Sequence, residues 1–563
     1  MSAHRALPML LAIVLTLPSL WVGWQFDDYL HREQLSQGNA LSTATQRLFV
    51  FMDGSPARTR QLMDTGEFPW WALPEGKVAF WRPLTGLTHW LDYQLWPTRP
   101  ALMHAQNLLW FALLIAVVTQ LYQRMMPGVT LAGGATLLYA LDDAHGFAVG
   151  WLSNRNALLA TLFGVLALLA HDRWRRDGWR VGALLSPLLL ALGLLSAEAA
   201  LATVAYLVAH ACFLERGGWR GRIVALLPAF ATVLLWRLPY RWLGYGAWGT
   251  SYIDPASEPL RYGWAVMERV PILLLGQWAL PPAEAYPLLP APLALAWWLA
   301  ALLFLALLLW ALWPLLRAHT LARFWLVGMV LATLPPAASL PANRLLFFVG
   351  LGAMGLLALF LAQWRELMGA RWVLARLLAM LHLGLAPLLL PLTAWSPRLF
   401  GQIEPAIAAL PTDEALVQQT LVIVNAPTFF ATGYLASIRA FHGQSVPARV
   451  RFLGSTVASL EITRRDERTL LVRPASGYLL GFDQVFRGSG HALAVGEVIK
   501  LEGMQIEVLG RTEDERPAAV AFRFDEPLED SSLRWVQWQG GGYVSFTVPT
   551  VGETLRLPAI GVP

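Results

Sequence analysis

The sequence predicts a polytopic α-helical membrane protein of about eleven transmembrane helices with a β-rich domain at its C-terminal end. Three observations lead there. Apolar runs close to bilayer length fill residues 1–395, clusters of arginine punctuate those runs, and beyond about residue 395 the pattern changes to short strand-like segments separated by turns. Composition agrees: 56% of the residues are hydrophobic and 14% charged, with a mean hydropathy of +0.48. Soluble domains average about 25% charged residues.

The formal net charge is +5, and almost every cation is arginine; Lys77 and Lys500 are the two lysines. The arginines sit beside apolar runs rather than in one basic domain. That is the pattern of membrane-flanking charge and argues against a nucleic-acid partner. Cys212 is the single cysteine, so no intramolecular disulfide staples an extracytoplasmic domain, which must be held by its own core. The first apolar run ends in Trp21 and Trp24 rather than in the small residues of a cleavage site, so an uncleaved first helix is expected.

A span takes about 20 mostly apolar residues. Candidates lie at 7–24, 103–122, 128–141, 154–170, 181–197, 199–214, 223–241, 293–315, 325–340, 345–362 and 375–394. Four arginine clusters orient them: Arg173, Arg175, Arg176 and Arg180; Arg216, Arg220 and Arg222; Arg317 and Arg323; and Arg365, Arg371 and Arg376. The positive-inside rule places all four in the cytoplasm. The apolar stretch 270–280, between Glu268-Arg269 and Pro281-Pro282, would carry Arg317 to the wrong side if it crossed; it is expected as a re-entrant or interfacial helix. The N-terminus is then cytoplasmic and the C-terminal domain periplasmic, in a bacterial inner (plasma) membrane.

The expected organisation is a membrane domain over 1–395, containing a first extracytoplasmic loop at 25–100, and a soluble domain over 396–563. In the loop, residues 78–96 form an aromatic-rich amphipathic piece suited to the membrane interface. In the tail, 421–424, 470–472, 498–501, 505–509, 519–524 and 543–547 have strand composition, and 428–441 reads as a helix after the first strand. Trp535, Trp538 and Tyr543 are candidates both for the core and for stacking on sugar rings.

Ionisable groups at or inside spans are costly and mark candidate sites. Five clusters fall on the extracytoplasmic side. Asp27 and Asp28 follow the first span, where paired carboxylates suit a general base or a metal ligand. Arg82 precedes Pro83 at a helix start, where its planar fork suits a phosphate. His104 and Asn107 share a helix face. Asp142, Asp143 and His145 lead through Trp151 to Arg155, and Glu198 and Arg344 each follow a span. Carboxylates, histidines and arginines gathered on one membrane face suit transfer chemistry on a phosphate-bearing lipid.

The run Trp81-Arg82-Pro83-Leu84-Thr85-Gly86-Leu87-Thr88, continuing to Leu91-Asp92-Tyr93, resembles the R-P-L-T-x-L-T signature of the tetratricopeptide-containing transmembrane O-mannosyltransferases and their bacterial relatives, within the GT-C superfamily of glycosyltransferases. His104-Ala105-Gln106-Asn107 resembles the H-x-x-N that follows it. His145 with Val149, Trp151, Ser153 and Arg155 is similar to H-x-E-x-V-x-W-x-S-x-R, Ser196-Ala197-Glu198 to S-K-E, and Arg344-Leu345-Leu346 to E-R-Y-L. The resemblance covers about residues 20–365. Phe147, Ala197 and Asn343 stand where that family has glutamate, lysine and glutamate, and the tail replaces the tetratricopeptide repeats.

The resemblance implies a GT-C-like fold and an inverting transferase that takes a sugar from a polyprenyl-phosphate-linked donor and passes it to a protein or glycan acceptor. It implies that the pair Asp27-Asp28 supplies the base, with Asp28 as base and Asp27 orienting it or sharing the role, and Arg82, Arg155 and Arg344 on the donor phosphate. His104, Asn107, Asp143, His145 and Glu198 would line the cavity. No cofactor is required; a divalent metal is compatible with the chemistry but not demanded, and no histidine–carboxylate spacing has metal-ligand specificity. A non-catalytic scaffold descended from such enzymes is the competing reading. A lipid-linked glycan ligase or transporter is a third, although transport calls for charges at mid-membrane.

Overall fold

The computed structural model of the protein describes residues 3–36, 39–455 and 458–560. All eleven apolar segments are helical there. Among the described residues six helices are long and apolar enough to cross a membrane, by length and composition: Pro100–Met125, Leu152–Asp177, Trp219–Trp242, Ala291–Ala318, Thr320–Ala337 and Gly369–Ala408. The other five, Leu7–Trp21, Val129–Ala140, Gly182–Leu194, Glu198–Phe213 and Phe347–Ala362, are shorter apolar helices of 10–17 residues. Protein rather than lipid surrounds some of these short helices. Phe347–Ala362 buries nearly every side chain, so bilayer thickness does not set its length.

Local signals account for the helix ends. Pro100 opens the helix Pro100–Met125, where its missing N–H costs nothing. Gly178, at φ +72°, closes Arg155–Asp177 in the left-handed conformation that a side chain would resist. The stretch expected as re-entrant is a helix, Pro259–Trp278, outside the six long apolar ones. Its Arg269 donates to the carbonyls of Ala337 and Ser339.

The arginine clusters meet at one end of the bundle. Arg124 is paired with Asp172 and Asp177, Arg175 with Glu215, and Arg222 donates to the carbonyls of Ala211 and Cys212. Asp27, Arg82, Glu198 and Arg344 lie at the other end, against the sheets.

Three sheets cap that end. Val50–Asp53, Lys77–Ala79 and Gly246–Trp248 make a small antiparallel sheet from two separate loops. The tail supplies a six-stranded antiparallel sheet from six segments between Leu460 and Leu557. It also supplies a four-stranded sheet in which Thr420–Ile423 runs parallel to both Leu533–Gln539 and Arg449–Phe452. The six tail segments read as strands all contribute to these sheets, and the expected helix at 428–441 appears as Phe430–Gly433 and Leu435–Phe441. The parallel pairing across that helix is a β-α-β unit that the description β-rich leaves out.

The first loop is not an appendage of the helices. Tyr29, Met52, Met63, Trp70, Trp71 and Val78 pack into the same hydrophobic core as tail residues such as Val422, Leu435, Phe452, Ile462 and Phe522. Tail arginines clasp the loop backbone: Arg487 Nε donates to the Trp71 carbonyl at 2.7 Å, and Arg451 to that of Asp64 at 2.8 Å. Trp535 and Trp538 belong to this core rather than to an exposed sugar platform; Trp535 Nε1 donates to the Leu528 carbonyl. Tyr543 donates its hydroxyl to the carbonyl of Ala431.

Candidate active site

The site is built from a strained turn. After the first apolar helix the chain passes through Phe26 at φ +49°, a conformation that costs a bulky L-residue about 1–2 kcal/mol. Neighbours hold it there. Trp151 Nε1 donates to the Gln25 carbonyl at 3.1 Å, and the Phe26 ring packs on Trp151 and Phe400, with centroids 5.8 and 4.8 Å away. The helix Asp27–Ser36 follows at once, so the turn fixes the direction of both leading carboxylates.

Those carboxylates have different surroundings. Asp28 is buried, and its oxygens are committed: Oδ2 accepts from the Gln25 N–H at 2.9 Å, while Oδ1 accepts from the Ser153 N–H at 2.9 Å and from the Ser153 hydroxyl. Burial pushes its pKa up to about 7, against the lowering effect of those hydrogen bonds. Asp27 is half-buried. Its Oδ1 accepts from the Tyr434 hydroxyl at 2.5 Å, and it feels the positive charges of Arg344 and Arg82. Burial raises its pKa too, while Tyr434 and then the two arginines pull it back.

The arginines also separate. Arg155 is completely buried. Its guanidinium lies 2.5 Å from the Asp92 carboxylate, donates to Asn107 Oδ1 at 2.6 Å, and reaches the carbonyls of Thr88 and Met103. All three nitrogens are occupied, so the phosphate role expected of Arg155 is not available to it. Arg82 forks onto one oxygen of Glu198 at 2.9 and 2.8 Å and lies 4.3 Å over the Phe80 ring; Tyr240 donates to the other Glu198 oxygen. Arg344 is half-buried, 5.4 Å over the Trp151 ring, and among the described residues its guanidinium makes no ion pair or hydrogen bond.

Three residues expected to line a cavity are packed instead. His104 Nε2 bonds the Gly23 carbonyl at 2.9 Å, and Asn107 spans Arg155 and the Val149 carbonyl. His145 stacks on Phe347 at 4.4 Å. All three are fully buried because they join helices, the first of them at the exit of the first apolar helix. Asp143 and Glu198 are half-buried. Burial and the neighbouring charge of Glu284 push Asp143 up to about 6.

The motif glycine has a steric reason. A Cβ at Gly86 would stand 1.8 Å from the Ala44 carbonyl, so the helix Pro83–Leu95 approaches Ala40–Gln46 only with glycine there. Two contributors were not singled out in the sequence. Tyr434 comes from the tail; an aromatic residue within an expected helix carries no sign of a partner 407 positions away. Glu284, behind Pro281-Pro282, accepts from the Asn343 N–H at 2.6 Å and faces the Arg344 charge.

The half-buried rim is therefore Asp27, Arg344, Asp143 and Glu284, backed by the buried Tyr434 and with Phe26 and Trp151 as its aromatic wall. It places a carboxylate within electrostatic reach of a guanidinium that makes no ion pair among the described residues.

No protein-family model matches the chain. A protein O-mannosyl-transferase of Caenorhabditis elegans is 29% identical over 127 residues, which is 22% of this chain and 18% of that protein. Over that stretch the chain is homologous to a glycosyltransferase. The match spans less than a fifth of the relative's length. Among solved structures, an oligosaccharyltransferase of Archaeoglobus fulgidus, tethered to an acceptor peptide through a disulfide bond, is 13% identical with a TM-score of 0.41, covering 80% of this chain and 64% of that one.

Proposed function

We propose that this multi-pass membrane protein is a glycosyltransferase that moves a sugar from a polyprenyl-phosphate-linked donor to an acceptor hydroxyl on the extracytoplasmic side. One observation carries the reading: Asp27, a carboxylate only partly covered, feels the charge of Arg344, which makes no ion pair among the described residues. The O-mannosyl-transferase homology supports it, and makes mannose the first sugar to try.

In this reading Asp27 takes the proton of the acceptor hydroxyl as its oxygen attacks the anomeric carbon from the face opposite the phosphate. The bond from that carbon to the phosphate oxygen breaks, and the polyprenyl phosphate leaves with the electron pair, inverting the centre. Arg344 meets the charge gathering on the departing phosphate through charge-assisted hydrogen bonds. A phosphate ester is already a good leaving group, so no acid is needed opposite Asp27. Tyr434 donates to the Oδ1 of Asp27 and leaves Oδ2 for the acceptor proton.

Asp28 takes the positioning role: its bonds to Ser153 tie the start of the helix Asp27–Ser36 to the connection before Arg155. Arg82, neutralised by Glu198, braces the opening of the helix Pro83–Leu95. In the proposed topology the arginine-rich end is cytoplasmic, which puts the rim and the sheets outside.

The test is the purified protein in nanodiscs with a panel of polyprenyl-phosphate sugars, mannose first, scored by release of polyprenyl phosphate together with labelled acceptor. Release with transfer for one donor supports the reading. Donors that bind without any release would instead describe a binding protein.

A further inference from the structure

At the arginine-rich end, far from Asp27, three metal-ligating side chains converge. His171 is on the helix Arg155–Asp177, about 24 Å along its axis from Arg155. His210 is on the neighbouring helix Ala202–Phe213, and Glu215 lies just beyond that helix's end. His171 Nε2 stands 3.5 Å, and His210 Nδ1 3.9 Å, from the same oxygen, Glu215 Oε1. The three ligand atoms all lie within 4.8 Å of one another. The residues are 2%, 0% and 6% exposed, so water does not solvate them freely.

The bonding around them leaves the two inward-facing nitrogens largely uncommitted. Apart from the Glu215 oxygen itself, neither His171 Nε2 nor His210 Nδ1 has a partner among the described residues, although both are buried. The other nitrogen of His210, Nε2, is 2.9 Å from Asp172 Oδ1 and donates its proton there, which leaves Nδ1 as the nitrogen on the side of Glu215. Asp172 is anchored in turn by Arg124 and Arg176. A carboxylate behind a histidine that fixes its tautomer and aims the free nitrogen inward is a recurrent support for metal ligands. Two imidazoles and one carboxylate are donors suited to zinc.

We propose that His171 Nε2, His210 Nδ1 and Glu215 Oε1 bind a zinc ion that fastens the helix Arg155–Asp177 to the end of Ala202–Phe213. Ligand atoms about 2.0–2.2 Å from a tetrahedral centre stand about 3.3–3.5 Å apart, so the measured separations close with small side-chain shifts. Water completes the fourth position. Arg175 donates to Glu215 Oε1 at 2.9 Å and to Oε2 at 3.3 Å, and is the group that competes with the ion. When zinc binds, Arg175 retains Oε2 and gives up its share of Oε1. The fold assembles the three ligands from two helices and a turn, so their sequence spacing does not announce a metal site.

The test uses the full-length chain purified on a histidine-free tag, exposed to zinc, desalted and analysed for bound metal. About one zinc per chain is expected, with loss of that zinc in His171→Gln and in His210→Gln. Arg175→Gln keeps every ligand and removes the competitor, so it should hold zinc at least as tightly as wild type. Cobalt substituted for zinc should give the visible absorption bands of a four-coordinate ion. Should the histidine variants fail to fold, the wild-type protein still decides: its thermal midpoint should fall on chelation and recover on adding zinc. Wild-type protein free of zinc after exposure, with a midpoint indifferent to zinc and chelator, would overturn the proposal.

Discussion

The phenolic hydroxyl of Tyr434, from the turn between two short helices of the tail, donates to Oδ1 of Asp27 across 2.5 Å, joining residues 407 positions apart in the chain. The tail is therefore part of the rim and not a separate attachment. Because the hydrogen bond stabilises the ionised carboxylate, it opposes the rise in the Asp27 pKa that burial causes. Tyr434→Phe should raise that pKa further. If Asp27 must be ionised to act, transfer falls as pH drops through its pKa, and the acidic limb of kcat/KM should move to higher pH in the variant. An unchanged limb would remove Tyr434 from the reaction.

Asp28 gives the opposite kind of prediction, one about stability. Its pKa is about 7 in the folded protein against an ordinary 3.8, so the folded state binds this proton more tightly than the unfolded state does. The stability it contributes is full at low pH and is lost as pH rises from about 4 to about 7. Asp28→Asn should flatten the thermal midpoint over that interval. It should also cost about 1–3 kcal/mol, since an amide cannot accept all the donors that Ser153 and Gln25 present. A variant with the wild-type midpoint and the wild-type pH slope would contradict this role.

Much of the fold was legible because its causes are local. Apolar runs and prolines mark the helices, alternation and turn residues mark most tail strands, and the R-P-L-T-G run marks the start of the helix Pro83–Leu95. The assignment of roles was less legible because it depends on partners. Nothing near Arg155 in sequence says that Asp92, Asn107 and two carbonyls will consume its guanidinium, and nothing near Arg344 says that it will be left without an ion pair. The same limit applied to the shared core of loop and tail, since Trp71 and Phe452 are brought together only by folding.

Arg155 and Arg344 should therefore respond in opposite ways. Arg155→Gln leaves Asp92 buried without its cation, a loss of about 3–5 kcal/mol for a broken internal pair, and should appear as poor folding. Arg344→Gln breaks no internal ion pair and should leave the thermal midpoint alone while weakening donor binding by about 1.5–3 kcal/mol, the range for a hydrogen bond to a charged group. Parallel measurements of midpoint and donor affinity separate the two. A destabilised Arg344 variant with normal affinity would reverse the assignment.

Arg82 should behave as a brace. Arg82→Lys keeps the charge but loses the two-nitrogen grip on Glu198 and the stacking over Phe80, and should cost about 1–2 kcal/mol of stability. Donor KM, measured below the unfolding transition, should stay near wild type. A large rise in KM at unchanged stability would return Arg82 to the phosphate.

Turnover by Asp27→Asn decides whether Asp27 is the base. Asparagine keeps the side-chain shape and a partner for Tyr434 but cannot take the acceptor proton. In nanodiscs, with a polyprenyl-phosphate sugar that supports wild-type transfer, the variant should bind donor normally and turn over about 100- to 10,000-fold more slowly. Turnover at the wild-type rate, with transferred sugar confirmed on the acceptor, would contradict the account.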